Sequence, residues 1–198
     1  MNRLTKAQYW YLFLLVAFPI NLWAILIGLY NLPNYINRTS LWAGIGYFSY
    51  SMLAALIETV LVFCTLVLLS LLLPNRWYGK TLLAQLTSLI LTVAFWAILG
   101  QSIFLYQVDG NTAIGTLLVN LFPHHPLRAS YILAAGLLLA IVLSPLAAIF
   151  LIANRANLQK AILSLSDRIT TLSYFYLAID IIASLLVVLR NLSPGTIG

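Results

Sequence analysis

One uninterrupted apolar run reads YSMLAALIETVLVFCTLVLLSLLL over residues 50–73, with Glu58 as its single charged residue. A helix needs about 20 predominantly apolar residues to cross the hydrocarbon core of a bilayer. This run is long enough, and it stops at Pro74-Asn75-Arg76, where the chain becomes polar. Residues 50–73 therefore predict a transmembrane helix.

Four further runs have the same character, and the composition agrees with them. Of the 198 residues, 63% are hydrophobic and only 7% are charged, against about 25% charged in a typical soluble domain. So few charges cannot hydrate the surface of a 22.0 kDa protein, and most of that surface must face lipid. The predicted fold class is an all-α integral membrane protein, a bundle of about five transmembrane helices plus short interfacial helices. Residues 1–198 form a single transmembrane domain, with predicted spans at about 9–30, 50–73, 82–106, 131–153 and 169–189.

The connections between these spans differ in character. Residues 31–49 are too long for a hairpin turn and suggest a loop or a re-entrant segment. Within the link 107–130, the apolar stretch 111–122 is expected to lie flat in the outer interface. Residues 156–168 carry leucine and isoleucine at helical spacing, which predicts an inner interfacial helix that runs straight into the fifth span.

The positions of lysine and arginine predict the orientation. With the N-terminus in the cytoplasm, seven of these residues fall inside and three outside, as the positive-inside rule favours. We therefore expect a multi-pass protein of the cell membrane (plasma or inner), with its C-terminus outside. The net charge of +6 is too scattered for a nucleic-acid site, and the lipid bilayer is the expected partner. The inner set is Arg3, Lys6, Arg76, Lys80, Arg155, Lys160 and Arg168, and the outer set is Arg38, Arg128 and Arg190.

Small and polar residues recur every three or four positions in each predicted span. Lipid is as apolar as leucine, so spans associate through close packing of small residues and through hydrogen bonds between helices. The five stripes therefore predict one shared interior. They are Ala17, Asn21, Ala24 and Gly28; Ser51, Ala55, Glu58 and Thr65; Gln85, Ser88, Thr92 and Ser102; Gly136, Ala140, Ser144 and Ala148; and Thr170, Ser173, Asp180 and Ser184.

Glu58 and Asp180 are the two acids within predicted spans. An ionised side chain near the midplane costs about 2.5–3.5 kcal/mol on insertion scales. No Lys, Arg or His within a predicted span offsets that cost. We therefore expect both carboxyls to be protonated and to donate hydrogen bonds. Their depths, roughly 10 and 14 Å from the outer ends at 1.5 Å per residue, predict that they meet and share a proton.

Three roles are open for this pair. The acids fix packing as hydrogen-bonding groups, or they form a proton or cation site as in transporters, or they pair with basic residues on another subunit. Tyr176 lies one turn before Asp180, and polar residues accompany both acids along their helices. The candidate intramembrane polar site comprises Glu58, Asp180, Tyr176, Ser184 and Thr65.

Catalytic and metal-binding motifs are missing from the sequence. It has no HExxH, no GxSxG, no P-loop and no dinucleotide fingerprint. His124 and His125 are weak metal candidates, because a site needs three or four ligands and Asp109 is the only acid nearby in the sequence. We expect no metal and no cofactor, and without a histidine in any span a bis-histidine haem is excluded there. An enzyme would need these three residues to converge.

The leading interpretation is a non-catalytic polytopic membrane protein that acts as a subunit or accessory of a larger membrane complex. Little of the chain lies outside the predicted spans, and the polar stripes exceed what a small bundle needs. The expected partners are other membrane-protein subunits or a second copy. The alternative is a small proton- or cation-coupled transporter or channel component that uses Glu58 and Asp180.

Overall fold

The computed structural model describes residues 4–72, 79–106, 116 and 119–192. These residues form no strand, and a short helical segment that includes residues 116 and 119–121 accompanies five long helices. The long helices are α1 (Lys6–Arg38), α2 (Leu41–Leu72), α3 (Gly79–Tyr106), α4 (Pro126–Ala153) and α5 (Ala156–Leu192).

Each long helix contains a segment that is long and apolar enough to cross a membrane. In lipid, a helix satisfies its backbone hydrogen bonds internally, which an irregular segment cannot do. The predicted fold class is therefore confirmed. The spans are Lys6–Arg38, Leu41–Leu71, Gly79–Gln101, Ser130–Ala153 and Ala156–Leu192.

The prediction of a long loop over residues 31–49 is wrong, because α1 and α2 continue to a two-residue turn, Thr39-Ser40. The Thr39 hydroxyl donates to the Tyr35 carbonyl at 2.6 Å. The Ser40 hydroxyl accepts from the Ala43 N–H at 3.1 Å. The Ser40 hydroxyl thus satisfies an N–H that the start of α2 leaves free, and the Tyr35 carbonyl near the end of α1 accepts both the hydroxyl and the backbone N–H of Thr39, so a short connection suffices.

The predicted interfacial helix at residues 156–168 is the first part of α5, which runs unbroken to Leu192. With 37 residues, α5 is about 55 Å long at 1.5 Å per residue, more than the roughly 30 Å of a hydrocarbon core. The Gln159 amide donates to the Ile152 carbonyl at 2.9 Å and so closes the turn between α4 and α5. Most of the predicted interfacial stretch 111–122, together with Arg3, Arg76 and Asp109, lies outside the described residues.

Contacts between distant residues show that α1 and α5 run parallel. The Tyr11 hydroxyl donates to the Leu163 carbonyl at 3.3 Å. Further along both helices, the Ser173 hydroxyl donates to the Leu14 carbonyl at 2.6 Å. We call the end where α1 and α5 begin the N-terminal face, and the end with the Thr39-Ser40 turn the opposite face.

The helices α3 and α4 form an antiparallel pair. The Gln85 amide donates to the Ile149 carbonyl at 3.3 Å, and the Trp96 indole N–H donates to the Ser144 hydroxyl at 2.7 Å. The first contact lies towards the N-terminal face and the second towards the opposite face.

The apolar core occupies the half of the bundle at the N-terminal face. Among the described residues, α3 buries no side chain after Ile90, and α4 buries none before Pro145. The α3–α4 pair therefore packs on the other helices at one end, and its other half is not buried by them. The core cluster consists of Leu4, Leu12, Leu15, Val16, Leu66, Leu82, Leu83, Leu86 and Ile90.

Candidate functional site

From Ser166 to Val187, α5 presents mostly small and polar side chains to the interior. Their spacing repeats every seven residues, which keeps one side of a helix against its neighbours. Small side chains also let helix backbones approach closely. Three of the four positions predicted for the fifth stripe are buried here, and Ser184 is half-buried. The buried residues are Ser166, Thr170, Ser173, Asp180, Ala183 and Val187.

Asp180 lies at the centre of this stripe and is only 1% exposed. The side-chain amide of Asn21, itself fully buried, interacts with the Asp180 carboxyl and donates to the Ala17 carbonyl at 3.1 Å. Among the described residues, neither Asp180 carboxyl oxygen, nor Asn21 Oδ1, has a hydrogen-bond partner of good geometry. An ionised carboxylate here would have little compensation beyond the Asn21 amide, whereas a protonated carboxyl would itself donate a hydrogen bond.

Glu58 does not join this pair. Its side chain is exposed, about 100° around α2 from the buried Thr59. In the part of the chain that the structure describes, the polar neighbour of the Asp180 carboxyl is Asn21 and not Glu58, so the two acids share no proton in this arrangement. The structure thus places one acid inside the bundle and the other on its surface.

The three remaining residues of the predicted site separate in the same way. Tyr176 is half-buried, with its ring 5.7 Å from that of Phe18 between centroids. The Ser184 hydroxyl donates to the main-chain carbonyl of Asp180 at 2.7 Å and is directed along its own helix. Thr65 is exposed on α2, near the Glu58 side of the helix. Only Asp180, Tyr176 and Ser184 therefore share a stretch of α5.

The other predicted stripes are partly right. α1 buries Ala17, Asn21 and Gly28, and α3 buries Gln85 and Ser88. The fourth stripe is wrong at Gly136, which is exposed and has open space where a Cβ would stand. Glu58 and Thr65 depart likewise from the second stripe, because α2 turns a different side inwards. That side carries Gly44, Gly46, Ser49, Met52, Ala55, Thr59, Leu66 and Ser70.

A second polar cluster, which the sequence did not single out, lies at the opposite face. Arg190 of α5 donates to the Trp42 carbonyl at 3.3 Å. The Asn191 amide donates to the Tyr50 hydroxyl at 3.0 Å. Gly46 lies under the Arg190 guanidinium, where a Cβ would overlap it. We call these five residues the Arg190 cluster; the spacing of Trp42, Gly46 and Tyr50, four residues apart on α2, was the available signal.

The two histidines lie in the turn before α4, where both are exposed. His125 occupies the N-cap position of α4 without a side-chain capping bond. Among the residues that the structure describes, no group of three or more His, Cys, Asp or Glu could hold a metal ion.

The five long apolar helices define a polytopic α-helical membrane protein. Comparison with protein-family models, with curated proteins and with solved structures finds no significant match.

Proposed function

We propose that this protein is a non-catalytic subunit or accessory of a larger complex in the cell membrane, with its N-terminus in the cytoplasm. The supporting observation is the exposed carboxyl of Glu58, near the middle of α2. A partner helix docks on the surface formed by Ala54, Glu58, Leu61 and Thr65, all of them exposed. We call this surface the Glu58 face.

The energetic reason is the position of the acid in lipid. Glu58 is the eighteenth of the 32 residues of α2, so it lies close to the bilayer midplane. A carboxylate exposed to hydrocarbon there costs about 2.5–3.5 kcal/mol, and a protonated carboxyl still lacks a hydrogen-bond partner. A neighbouring helix that supplies a polar or basic side chain removes that cost. The small Ala54 allows such a helix to approach closely.

Charge complementarity favours a different chain over a second copy. The five helices carry Lys and Arg only towards their ends, such as Lys80 and Arg128, or in the first part of α5, such as Arg168. A second copy would therefore bring no base to the depth of Glu58. The proposed partner is a transmembrane helix with a basic or hydrogen-bonding residue near its middle.

The test is native mass spectrometry of the tagged chain, extracted from its own membrane in mild detergent. We expect a stoichiometric companion with the wild type and a roughly 5- to 30-fold weaker association for Glu58→Leu, as one interhelical hydrogen bond in lipid predicts. Glu58→Gln keeps the hydrogen-bonding group but not the charge. It therefore retains a companion that offers a polar group and loses one that offers a base.

Thr171→Val is the matched control, because Thr171 is an exposed polar residue on a different helix, α5. Its hydroxyl donates only to the Asp167 carbonyl of its own helix, at 2.9 Å. This variant should keep the companion at the wild-type level. A wild-type chain that leaves its membrane as a monomer or a homo-oligomer contradicts the proposal.

A second candidate function is proton-coupled transport, favoured by the buried carboxyl of Asp180, whose oxygens have no hydrogen-bond partner of good geometry among the described residues. Asp180→Asn preserves size and hydrogen bonding but cannot carry a proton. If Asp180 only fixes packing against Asn21, this variant should keep wild-type thermal stability and function. Abolished proton flux in liposomes, with stability unchanged, would assign the transport role instead.

A further inference from the structure

The last turn of α5 holds a half-buried cation against the beginning of α2. Arg190 lies between the two helices, and one of its N–H groups donates to the Trp42 carbonyl. Gly46 makes this position possible, because any larger residue would place a Cβ within the guanidinium. The absence of a side chain at Gly46 thus leaves the space over α2 in which the Arg190 guanidinium lies.

The charge of Arg190 has no counterion among the described residues. The nearest acid along α5 is Asp180, ten residues away, or about 15 Å at 1.5 Å per residue. Glu58 lies twelve residues beyond Gly46 on α2, about 18 Å along the helix. A guanidinium has five N–H donors, and the Trp42 carbonyl is the one acceptor that the described residues supply.

A second donor beside Arg190 also lacks an acceptor. The indole N–H of Trp42 is buried and has no hydrogen-bond partner in the described part of the chain. Trp42, Gly46, Ser49, Tyr50 and Arg190 are among the residues that line a small cavity of about 10 Å³. A cavity of that size has room for about one water-sized group. Trp42 and Arg190, the residues that carry these donors, therefore both line a space that fits a single oxygen atom.

The depth of this cluster matches the headgroup region of a bilayer. Arg190 is two residues from the end of α5. Tyr30, Tyr35 and Tyr50, at the same end of the bundle, are more than 40% exposed. Aromatic rings with a polar end prefer the membrane–water interface. Phosphate groups are the abundant acceptors at this level, and the planar guanidinium of arginine matches their geometry.

We propose that the Arg190 cluster binds a phosphate group, carried by a lipid headgroup or free in solution. The Arg190 guanidinium supplies the charge, and the Trp42 indole N–H reaches a phosphate oxygen that enters the cavity. Tyr50 and Asn191 form the exposed rim of the site. This site lies apart from the Glu58 face and does not depend on the partner proposed there.

The test is a binding titration of the delipidated full chain in detergent, followed by native mass spectrometry. The probes are short-chain phosphatidylglycerol, short-chain diacylglycerol, which has no phosphate, and inorganic phosphate. We expect one phosphatidylglycerol to bind per chain. In Arg190→Gln its affinity should fall by roughly tenfold or more, because charge-assisted hydrogen bonds are lost. Diacylglycerol should bind alike to both proteins. Inorganic phosphate distinguishes the two sources of the phosphate group. If it competes with phosphatidylglycerol at equal concentration, the ligand is a free anion; if it does not compete, the ligand is a lipid.

Two further variants keep the test decisive if Arg190→Gln folds poorly. Gly46→Ala keeps Arg190 but places a Cβ in the space that the guanidinium occupies. It should therefore weaken phosphatidylglycerol binding as much as Arg190→Gln does. Arg128→Gln removes an exposed cation from the first turns of α4 and should bind like the wild type. The proposal is overturned if Arg190→Gln and Gly46→Ala both bind as tightly as the wild type. It is also overturned if Arg190→Gln loses a companion protein but no phosphate ligand.

Discussion

Gly28→Leu is expected to destabilise the protein by about 1–3 kcal/mol or more, because it forces apart two closely packed helices. A Cβ at Gly28 would lie 2.9 Å from Cδ2 of Phe48, a distance at which one of the two must move. The remaining leucine atoms would extend further into α2. The measurement is the free energy of unfolding by SDS titration in mixed micelles, followed by far-UV circular dichroism.

Gly136→Leu is the matched control, since Gly136 is also in a helix but has nothing within 4 Å of the added Cβ. Leucine replaces glycine in both variants, so the gain in helix propensity is common to them. We expect Gly136→Leu to be neutral or stabilising. Equal stability of the two variants would contradict the close approach of α1 and α2 at Gly28.

Leu86→Ala is expected to cost about 1–3 kcal/mol in the same unfolding assay. Leu86 is 1% exposed in the core at the N-terminal face, so the shortened side chain leaves a cavity. In a water-soluble core this change costs about 2–5 kcal/mol. Part of that figure is the free energy of transferring the leucine side chain from water into the core. In a bilayer this transfer contribution is small, because a leucine outside the core is surrounded by hydrocarbon and not by water. The lost packing contacts remain.

Leu138→Ala is the control for this prediction. Leu138 lies on α4 and is 64% exposed, so its side chain leaves no cavity inside the bundle when it is removed. We expect a change within about 0.5 kcal/mol. A cost for Leu138→Ala equal to that of Leu86→Ala would show that α4 is packed on that side.

Residues 31–49 show how composition misleads at helix ends. The sequence predicts a loop or a re-entrant segment here, yet α1 includes Asn31 and Pro33 and continues to Arg38. The Asn31 amide donates to the Ile27 carbonyl at 3.1 Å, within its own helix. Polar side chains favour loops as a class, but near a membrane surface they can also bond back to the helix that carries them.

Glu58 and Asp180 show how far the candidate site could be predicted from the sequence. Both acids stand in apolar helices at similar depth, and the sequence suggested that they meet. Asp180 faces the interior because α5 turns its polar stripe towards α1, where the Asn21 side chain contacts the carboxyl. Glu58 faces outwards because Thr59, one position further along α2, faces inwards. Nothing local to either acid distinguishes the two cases.

The contact between Arg190 and α2 could not be predicted from the sequence for a related reason. Arg190 and Gly46 are 144 positions apart, and only the antiparallel packing of α2 and α5 brings them together. From the sequence, Arg190 counted only as one cation outside the membrane. The position of its guanidinium depends on the absence of a Cβ at Gly46 on α2. No pattern along α5 can reveal that dependence.

The sequence by itself determined that the chain is helical and has five segments long and apolar enough to cross a membrane. Length and apolarity are enough for that conclusion, because a segment in hydrocarbon must satisfy its backbone hydrogen bonds internally and a helix does so. The tertiary structure alone decided which side of each helix faces the interior, and therefore which acid is buried. In water the hydrophobic effect makes that choice visible as an apolar stripe. In lipid every side of an apolar helix is compatible with the solvent, so the choice depends on packing between helices.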